Sequence, residues 1–388
     1  MLLFVFWLVH RFEKGFPRCM SEPVHKTVLY DTHCALGAKI APFGGFAMPI
    51  QYGSILREHD AARNGAAIFD TCHMGEFLIQ GSGAEADLEK ILTCSISDLA
   101  PGRCRYGFIC NERGGVLDDQ IVYRLGPDEF YMVVNAGTQE QDFAWISRHL
   151  GSQSRIQNRS RNTAKLDIQG PGAPRIVQRL LDDSIADMKF YRFAWNARKG
   201  RTLLVSRTGY TGEVGFELYM DLDMAQEIWD AAVEDGAVAA GLGARDTLRL
   251  EMGMPLYGHE LDADTNPAQT GFTRAIAARK RFIGSDVVLD PRAAPRRLCG
   301  IRFESRRAAR QHLAVTGPDG ATIGTITSGS FSPSLQTAIA LAYIESSHAH
   351  PGAHVSAAAG GVSLDGVITA LPFYTGATGR MPLRQFLE

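Results

Sequence analysis

The sequence predicts an α+β protein: two sheet-and-helix units in succession, followed by an all-β barrel. Three observations carry this. Between Glu76 and Leu150 the pattern runs strand, helix, strand, strand, strand, helix, which is the order of a sheet with helices on one face. A similar alternation restarts at Lys165. From Leu298 onward the chain is strand-rich and cut by Gly, Pro and Ser turns, which fits a barrel.

With 388 residues and 45% hydrophobic content, the chain can bury a core in each of two or three domains. A formal charge of -2 gives no global reason to expect nucleic acid or a membrane surface as partner. The seven cysteines form no CxxC pair and are odd in number, which fits neither a disulfide framework nor a zinc knuckle and points to a reducing compartment. Met1 to Val9 is apolar but too short to span a bilayer, with no basic region ahead of it and no small-residue cleavage site behind. A start at Met20 explains this segment at least as well as a targeting role, so residues 1–22 are expected to be dispensable. Deleting residues 1–19 should leave melting temperature and activity unchanged.

From Lys26 the chain reads as a short helix start, then strand, turn and an aromatic-rich loop through Phe43-Gly44-Gly45-Phe46-Ala47-Met48-Pro49. Ser54 ahead of Ile55 to Arg63 signals a capped helix. Glu76 to Gly81 is a strand, and Ala84 to Leu92 is helical by composition. Pro101-Gly102 breaks the chain before Arg105 to Ile109, which pairs as a hairpin across Gly114-Gly115 with the strand that follows. Tyr131 to Asn135 is a strand, and Gln139 to Leu150 a helix. In the second unit, Leu166 to Ile168 and Thr202 to Arg207 are strands, and Asp223 to Asp235 is helical. The glycine-studded turn Gly209-Tyr210-Thr211-Gly212-Glu213-Val214-Gly215 fits no phosphate-binding fingerprint; a backbone lying close to a flat ligand is the better use of it. Arg245 stands in the first turn of the helix that Gly241 opens, where it opposes the helix dipole; it is either kept for function or paired with Asp246 or Glu251. Pro291 to Pro295 reads as a linker, which divides the chain into an N-terminal region, 23–290, and a barrel domain, 296–388.

Asp118 and Asp119 follow the Gly114-Gly115 turn and lie inside a strand. Successive strand residues point to opposite faces, so one acid faces inward, where an ionised carboxylate is costly unless it is paired or used. Counting by twos puts Val116, Asp118, Gln120 and Val122 on one face and Leu117, Asp119, Ile121 and Tyr123 on the other. The second set is more apolar, which assigns Asp119 to the buried side and Asp118 to solvent or the turn. An Asp that merely caps the turn remains open for either.

At this point the sequence resembles the aminomethyltransferase of the glycine cleavage system, the T-protein family, from about residue 26 to the end. The resemblance rests on Phe43 to Pro49, Phe69-Asp70-Thr71-Cys72-His73-Met74-Gly75, Gly114 to Asp119, Gly209 to Glu213, Gly243-Ala244-Arg245-Asp246, Tyr257-Gly258-His259-Glu260-Leu261-Asp262, Phe282-Ile283-Gly284 and Thr325 to Ser334. It implies two ferredoxin-like sandwich subdomains and a C-terminal barrel around a central funnel that binds tetrahydrofolate. It also implies a protein partner, the lipoyl carrier H-protein, which delivers an aminomethyl group on sulfur. Ammonia leaves, the methylene ends on tetrahydrofolate, and no metal takes part. The resemblance puts the catalytic aspartate at Asp119. It puts folate contacts at Met74, Tyr106, Ile121, Tyr123, Asn135, Tyr191, Tyr210, Glu217, Arg245 and Arg380. These types suit the ligand: a carboxylate such as Glu217 can accept from the amide and amine edge of a pterin, aromatic rings give flat walls, and arginines can pair with the folate tail. The implied compartment is the cytoplasm, or the mitochondrial matrix in a eukaryotic source.

The chain departs from the family at four places. Gln269 and Arg274 stand in a segment, Asn266 to Arg274, that usually carries an acid and a tryptophan; Cys72 replaces the usual serine and Gly44 the usual alanine. The departures at Gln269 and Arg274 bear on the pocket wall next to the one-carbon donor. They leave two alternatives: a tetrahydrofolate-dependent transferase that takes its carbon from a methylated amine or a sulfonium, and a non-enzymatic folate-binding assembly or repair factor. The intact Asp119 argues against the latter.

Overall fold

The computed structural model describes residues 24–290, 292 and 294–387. The expectations for residues 1–22, and for residues 291 and 293 of the linker, fall outside these. Strand β1 (His25–Lys26), helix α1 (Tyr30–Ala35), β2 (Lys39–Phe43) and β3 (Phe46–Gln51) form a small sheet in the order β1-β3-β2. The helix expected from Lys26 thus begins four residues later, at Tyr30, and Lys26 itself is extended. It is held so by His25 N–H donating to the Gly45 carbonyl at 2.9 Å and by Thr27 Oγ1 donating to Asp70 at 2.6 Å. Helix α2 (Ile55–Asn64) starts where Ser54 predicts, but the Ser54 hydroxyl caps nothing. Glu58 reaches back instead, accepting from the backbone N–H of Tyr52 (2.8 Å) and Gly53 (3.1 Å), and so ties the helix to the two residues ahead of Ser54.

There follow β4 (Ala67–Asp70), β5 (Gly75–Gln80), α3 (Ala84–Ile91), β6 (Cys104–Cys110), β7 (Val116–Gly126), β8 (Glu129–Val134), α4 (Gln139–His149) and β9 (Arg155–Asn158). Strands β6-β7-β8-β5-β9 make a five-stranded antiparallel sheet. Helices α3 and α4 cover one of its faces: Ala84, Leu88, Ile91 and Ile146 pack on Phe77, Ile79, Val122 and Met132.

The second unit comprises β10 (Thr163–Gln169), α5 (Ala173–Leu180), β11 (Phe193–Arg198), β12 (Arg201–Ser206), β13 (Gly215–Asp221), α6 (Ala225–Glu234), β14 (Val238–Ala239) and α7 (Leu242–Glu251). Its six-stranded sheet has the order β11-β12-β13-β10-β4-β14, so β4, from the first half of the chain, is threaded into the second sheet. The outer face of this sheet buries Ile176, Val177, Ile228 and Trp229 of α5 and α6 against Leu166, Ile168, Phe216 and Leu218. The faces left free by the helices meet: Tyr123 and Val133 of the first sheet pack on Phe193, Leu204 and Tyr219 of the second.

Six strands then close a barrel: β15 (Arg296–Phe303), β16 (Ala314–Thr316), β17 (Thr322–Ser332), β18 (Thr337–Glu345), β19 (His354–Ala359) and β20 (Val362–Thr369), in the order β15-β18-β17-β16-β19-β20. A buried polar knot fastens the barrel to the rest. Glu251 accepts from Ser332 Oγ at 2.6 Å and Ser334 Oγ at 2.8 Å on the barrel side, and from Arg63 at 2.8 Å on the other. Burial alone would raise the Glu251 carboxyl, but its hydrogen bond to His59 and the His59 and Arg63 charges hold it down at about 2. Beyond the barrel the chain returns as a strap, with Tyr374 N–H on the Glu251 carbonyl (3.0 Å) and Gly379 N–H on the Gly212 carbonyl (2.9 Å). Among the described residues no helix is long and apolar enough to cross a membrane.

Candidate active site

Strands β6 and β7 pair in register with Phe108 opposite Asp119 and Tyr106 opposite Ile121. At their turn end the register shifts: Cys110 pairs with Val116 and Ile109 with Asp118, which leaves Leu117 as the extra residue of a bulge. Strict alternation counted from Val116 therefore fails at this point. Leu117 and Val122 pack in the helix-covered core, whereas Val116 packs with Phe108 and Cys110 on the other side. Asp118 lies on the helix-covered side and is 0% exposed, while Asp119 is half-buried on the side facing the second sheet. The expectation of an outward Asp118 and a buried Asp119 is thus corrected: both are enclosed, and Asp118 is the more deeply buried.

The Asp119 carboxylate accepts from Tyr106 Oη at 2.9 Å and from Asn135 Nδ2 at 2.8 Å. Asn135, just past the end of β8, also gives its backbone N–H (2.9 Å) and Nδ2 (2.8 Å) to Asp118. One asparagine thus ties the two acids together. Burial, then the neighbouring Asp118 charge, push the Asp119 carboxyl up to about 7, against the pull of the Tyr106 and Asn135 hydrogen bonds. Because Asp118 accepts both Asn135 donors in a dry site, Asp118→Asn should lower the melting temperature measurably. An amide there sets N–H against N–H, and a buried donor left unsatisfied costs about 1–3 kcal/mol.

Asp119, Ile121 and Tyr123 share one face of β7, so Tyr123 stands ~13 Å along it from Asp119. There Tyr123 Oη lies 2.9 Å from Tyr219 Oη and donates to Glu217 at 3.4 Å. Glu217, on β13, also accepts from Lys165 Nζ at 2.6 Å and from the Thr208 hydroxyl. Three of its roughly four acceptor positions are filled, so a ligand edge that donates twice must displace the long Tyr123 contact. Lys165 is 0% exposed and sits between Glu217 and Asp167 (2.7 Å); burial alone would lower its ammonium, but the two carboxylates outweigh burial and raise it. Asp167 in turn takes Arg245 at 2.8 Å, whose guanidinium lies 4.9 Å from the Tyr210 ring centroid. Arg245 pairs with neither Asp246 nor Glu251, the local partners considered from sequence; Arg249 takes Asp246 and Arg63 takes Glu251.

Sequence reasoning missed Lys165, Asp167 and Thr208. The signal was present in β10, where Lys165 and Asp167 alternate with Leu166 and Ile168 while every one of the four is buried. Met74, Ile121 and Tyr191 pack around Tyr123, Phe193 and Tyr219 and form the apolar wall between the two acidic ends. Tyr191 holds a left-handed backbone, φ 59°, which is uncommon for a non-glycine residue. Tyr210 donates its hydroxyl to the Pro255 carbonyl. Arg380 is exposed on the returning strap, its guanidinium 5.2 Å from the Phe190 ring, so it stands at the rim.

Two further expectations are revised. The glycines of the 209–215 turn make room for protein side chains: a Cβ at Gly209 would meet Gln169 Oε1 at 2.1 Å, and one at Gly212 would meet Met252 Sδ at 2.4 Å. Of the segment that departs from the family, Arg274 is exposed and Gln269 is buried in a short turn, whereas Phe272 brings its ring within 6.1 Å of Tyr106. Cys72 bridges to the Lys165 backbone, accepting from its N–H at 3.3 Å and donating to its carbonyl at 3.4 Å, as a serine could. Gly44 has φ 55°, and a Cβ there would lie 2.7 Å from Ala136 Cβ, which accounts for glycine in place of alanine.

Residues 29–280 match the GCVT N-terminal domain, and residues 296–375 match the glycine cleavage T-protein C-terminal barrel domain. The chain belongs to the glycine cleavage T-protein family. It is 39% identical over 355 residues to an aminomethyltransferase of Halothermothrix orenii, covering 90% of this chain and 99% of the relative. Against the aminomethyltransferase of Geobacillus kaustophilus the figure is 40% over 358 residues, covering 90% and 98%. The crystal structure of the glycine cleavage system aminomethyltransferase T from Bartonella henselae superposes with a TM-score of 0.86 at 29% identity, covering 92% of this chain and 99% of that one. The chain is accordingly an aminomethyltransferase, an enzyme that uses tetrahydrofolate as a substrate. Among the described residues there is no group of three or more His, Cys, Asp or Glu side chains that could hold a metal ion.

Proposed function

We propose that the transfer takes place on the β7 face between Asp119 and Glu217. An aminomethyl group arrives on the sulfur of the lipoyl carrier H-protein, ammonia leaves, and the methylene is joined to tetrahydrofolate as 5,10-methylenetetrahydrofolate. The observation that carries this reading is the Asp119 carboxylate: half-buried, fixed by Tyr106 and Asn135, and held near neutrality at the accessible end of an aromatic wall. Such a group can steady a cationic, iminium-like carbon or accept a proton as the folate nitrogen attacks.

On this reading the pterin edge sits at Glu217, with Met74, Ile121, Tyr123 and Tyr191, which pack together, and Tyr210, which lies against Arg245, as its walls. Arg245 braces Asp167 behind that end, and Arg380 at the rim is positioned for the carboxylates of the folate tail. Glu217→Gln removes a charged acceptor and should weaken tetrahydrofolate binding by about 1.5–3 kcal/mol in calorimetry. Arg245→Ala should weaken it likewise. Wild-type affinity in both variants would remove the pterin from this end. A reducing, cytoplasmic setting is supported by the six cysteines of the described residues, all of them free thiols.

The assay that tests the reaction supplies tetrahydrofolate with aminomethyl-loaded H-protein and, separately, with a methylated amine and a sulfonium. Turnover with the loaded carrier alone is expected. Turnover only with one of the small donors would replace the carrier in this scheme.

A further inference from the structure

Helix α4 carries a buried acid that the transfer scheme does not use. Asp142 lies in the first turn of α4 and is 0% exposed, and neither of its carboxyl oxygens receives a hydrogen bond from a protein N–H or hydroxyl. An acid there is usually explained by the helix dipole, which favours the ionised form. The dipole field alone does not replace hydrogen bonds in a buried site, and the hydroxyl beside Asp142, that of Thr138, is directed to the Asn135 carbonyl. The Asp142 carboxyl instead lies beside the carboxyl of Asp118, the two acids perturbing each other across the buried gap between β7 and α4. Two carboxylates so placed cannot both be ionised; one must carry a proton.

The surroundings decide which acid carries it. Asp118 receives two strong donors from Asn135, the backbone N–H at 2.9 Å and Nδ2 at 2.8 Å, so it is the better anion. Thr138, beside both carboxyls, has one hydroxyl proton and donates it to the Asn135 carbonyl at 3.1 Å. The other titratable groups that these acids feel are Asp119 on β7 and the phenol of Tyr257, and an added negative charge near either is unfavourable. We propose that Asp142 is a neutral carboxylic acid that donates its proton to Asp118, keeps Asp118 anionic, and through Asn135 positions the Asp119 carboxylate for the transfer.

Burial and the Asp118 charge both push the Asp142 carboxyl well above the ordinary range, in keeping with this geometry. The chain of contacts is Asp142 to Asp118, Asp118 to Asn135, and Asn135 Nδ2 to Asp119 at 2.8 Å. Asp142 is thus a positioning residue. Without its proton Asp118 would take one up itself, Asn135 would lose its charged acceptor, and the Asp118 charge that raises Asp119 would vanish.

The inference rests on the assignment of Asp119 to the transfer for its kinetic part only. Infrared difference spectra of the full-length protein, wild type minus Asp142→Asn at neutral pH, test the protonation without any turnover. A carbonyl band of a protonated carboxylic acid present in the wild type and missing from the variant is expected. Asp142→Asn keeps a donor toward Asp118, so kcat and its acid limb should stay within about twofold of wild type. Asp142→Ala removes the donor, so kcat should fall about tenfold or more, with KM for tetrahydrofolate little changed. Its acid limb should also move to lower pH, a shift that simple loosening of the fold does not produce. The inference is overturned if the infrared band is unchanged in Asp142→Asn. It is equally overturned if Asp142→Asn moves the acid limb as far as Asp142→Ala does, or if Asp142→Ala leaves the limb in place. Should Asp142→Ala not fold, the two Asp142→Asn readouts still decide.

Discussion

Asp119→Asn should keep the fold and most of the tetrahydrofolate affinity but lose about 10²- to 10³-fold in kcat, the usual cost of removing a preorganised electrostatic partner. The amide is nearly isosteric and can still meet Tyr106 and Asn135. It cannot balance positive charge that develops only during transfer, so the loss belongs in kcat more than in KM. Steady-state kinetics beside calorimetric folate binding check this, and normal turnover would show that another group carries the transfer. The wild-type pH dependence follows from the same carboxyl, raised to about 7 by burial and by Asp118. The transfer rate should climb as pH rises through that region. Stability should move the opposite way. The folded state holds this proton more tightly than the unfolded chain, where the pKa is about 3.9, so the proton's stabilising contribution is full below about 4 and is lost as pH rises through the folded value. Melting curves of wild type and Asp119→Asn against pH measure the difference.

Lys165→Met should be the most damaging single change to stability near the site. Lys165 is fully buried between Asp167 and Glu217, and removing one partner of a buried ionic cluster costs about 3–5 kcal/mol because the remaining charge is left uncompensated. Asp167 keeps Arg245 at 2.8 Å and Thr71 Oγ1 at 2.9 Å, so Glu217 is the group left exposed to that penalty. Adding Glu217→Gln to Lys165→Met should therefore recover part of the loss in denaturant unfolding. Two independent, additive losses would contradict the coupling.

The unit order was legible because each unit's periodicity is local: the β6 and β7 hairpin across Gly114-Gly115, the α4 helix after Asn135 and the barrel strands stand close to where the alternation puts them. The closeness of Asp118 to Asp142 was not legible, since a bulge at Leu117 breaks the count by twos and the covering helix begins only at Gln139, beyond β8. The first helix starts at Tyr30 rather than Lys26 because the extended form of the residues ahead of it depends on Gly45 and Asp70, which are distant in sequence. At the site, Asp119, Tyr106 and Asn135 are brought together, and so are Tyr123 and Glu217. Lys165 and Asp167 escaped notice because charges inside an apolar strand gain meaning only once their partners on β13 and α7 are in view.

The most direct test is a crystal structure of this protein with tetrahydrofolate bound. The ligand is expected along the face of Asp119, Ile121 and Tyr123, with its pterin edge on Glu217 and the reacting nitrogen beside the Asp119 carboxylate. Tetrahydrofolate seated elsewhere, or turned so that the reacting nitrogen lies away from Asp119, would contradict it.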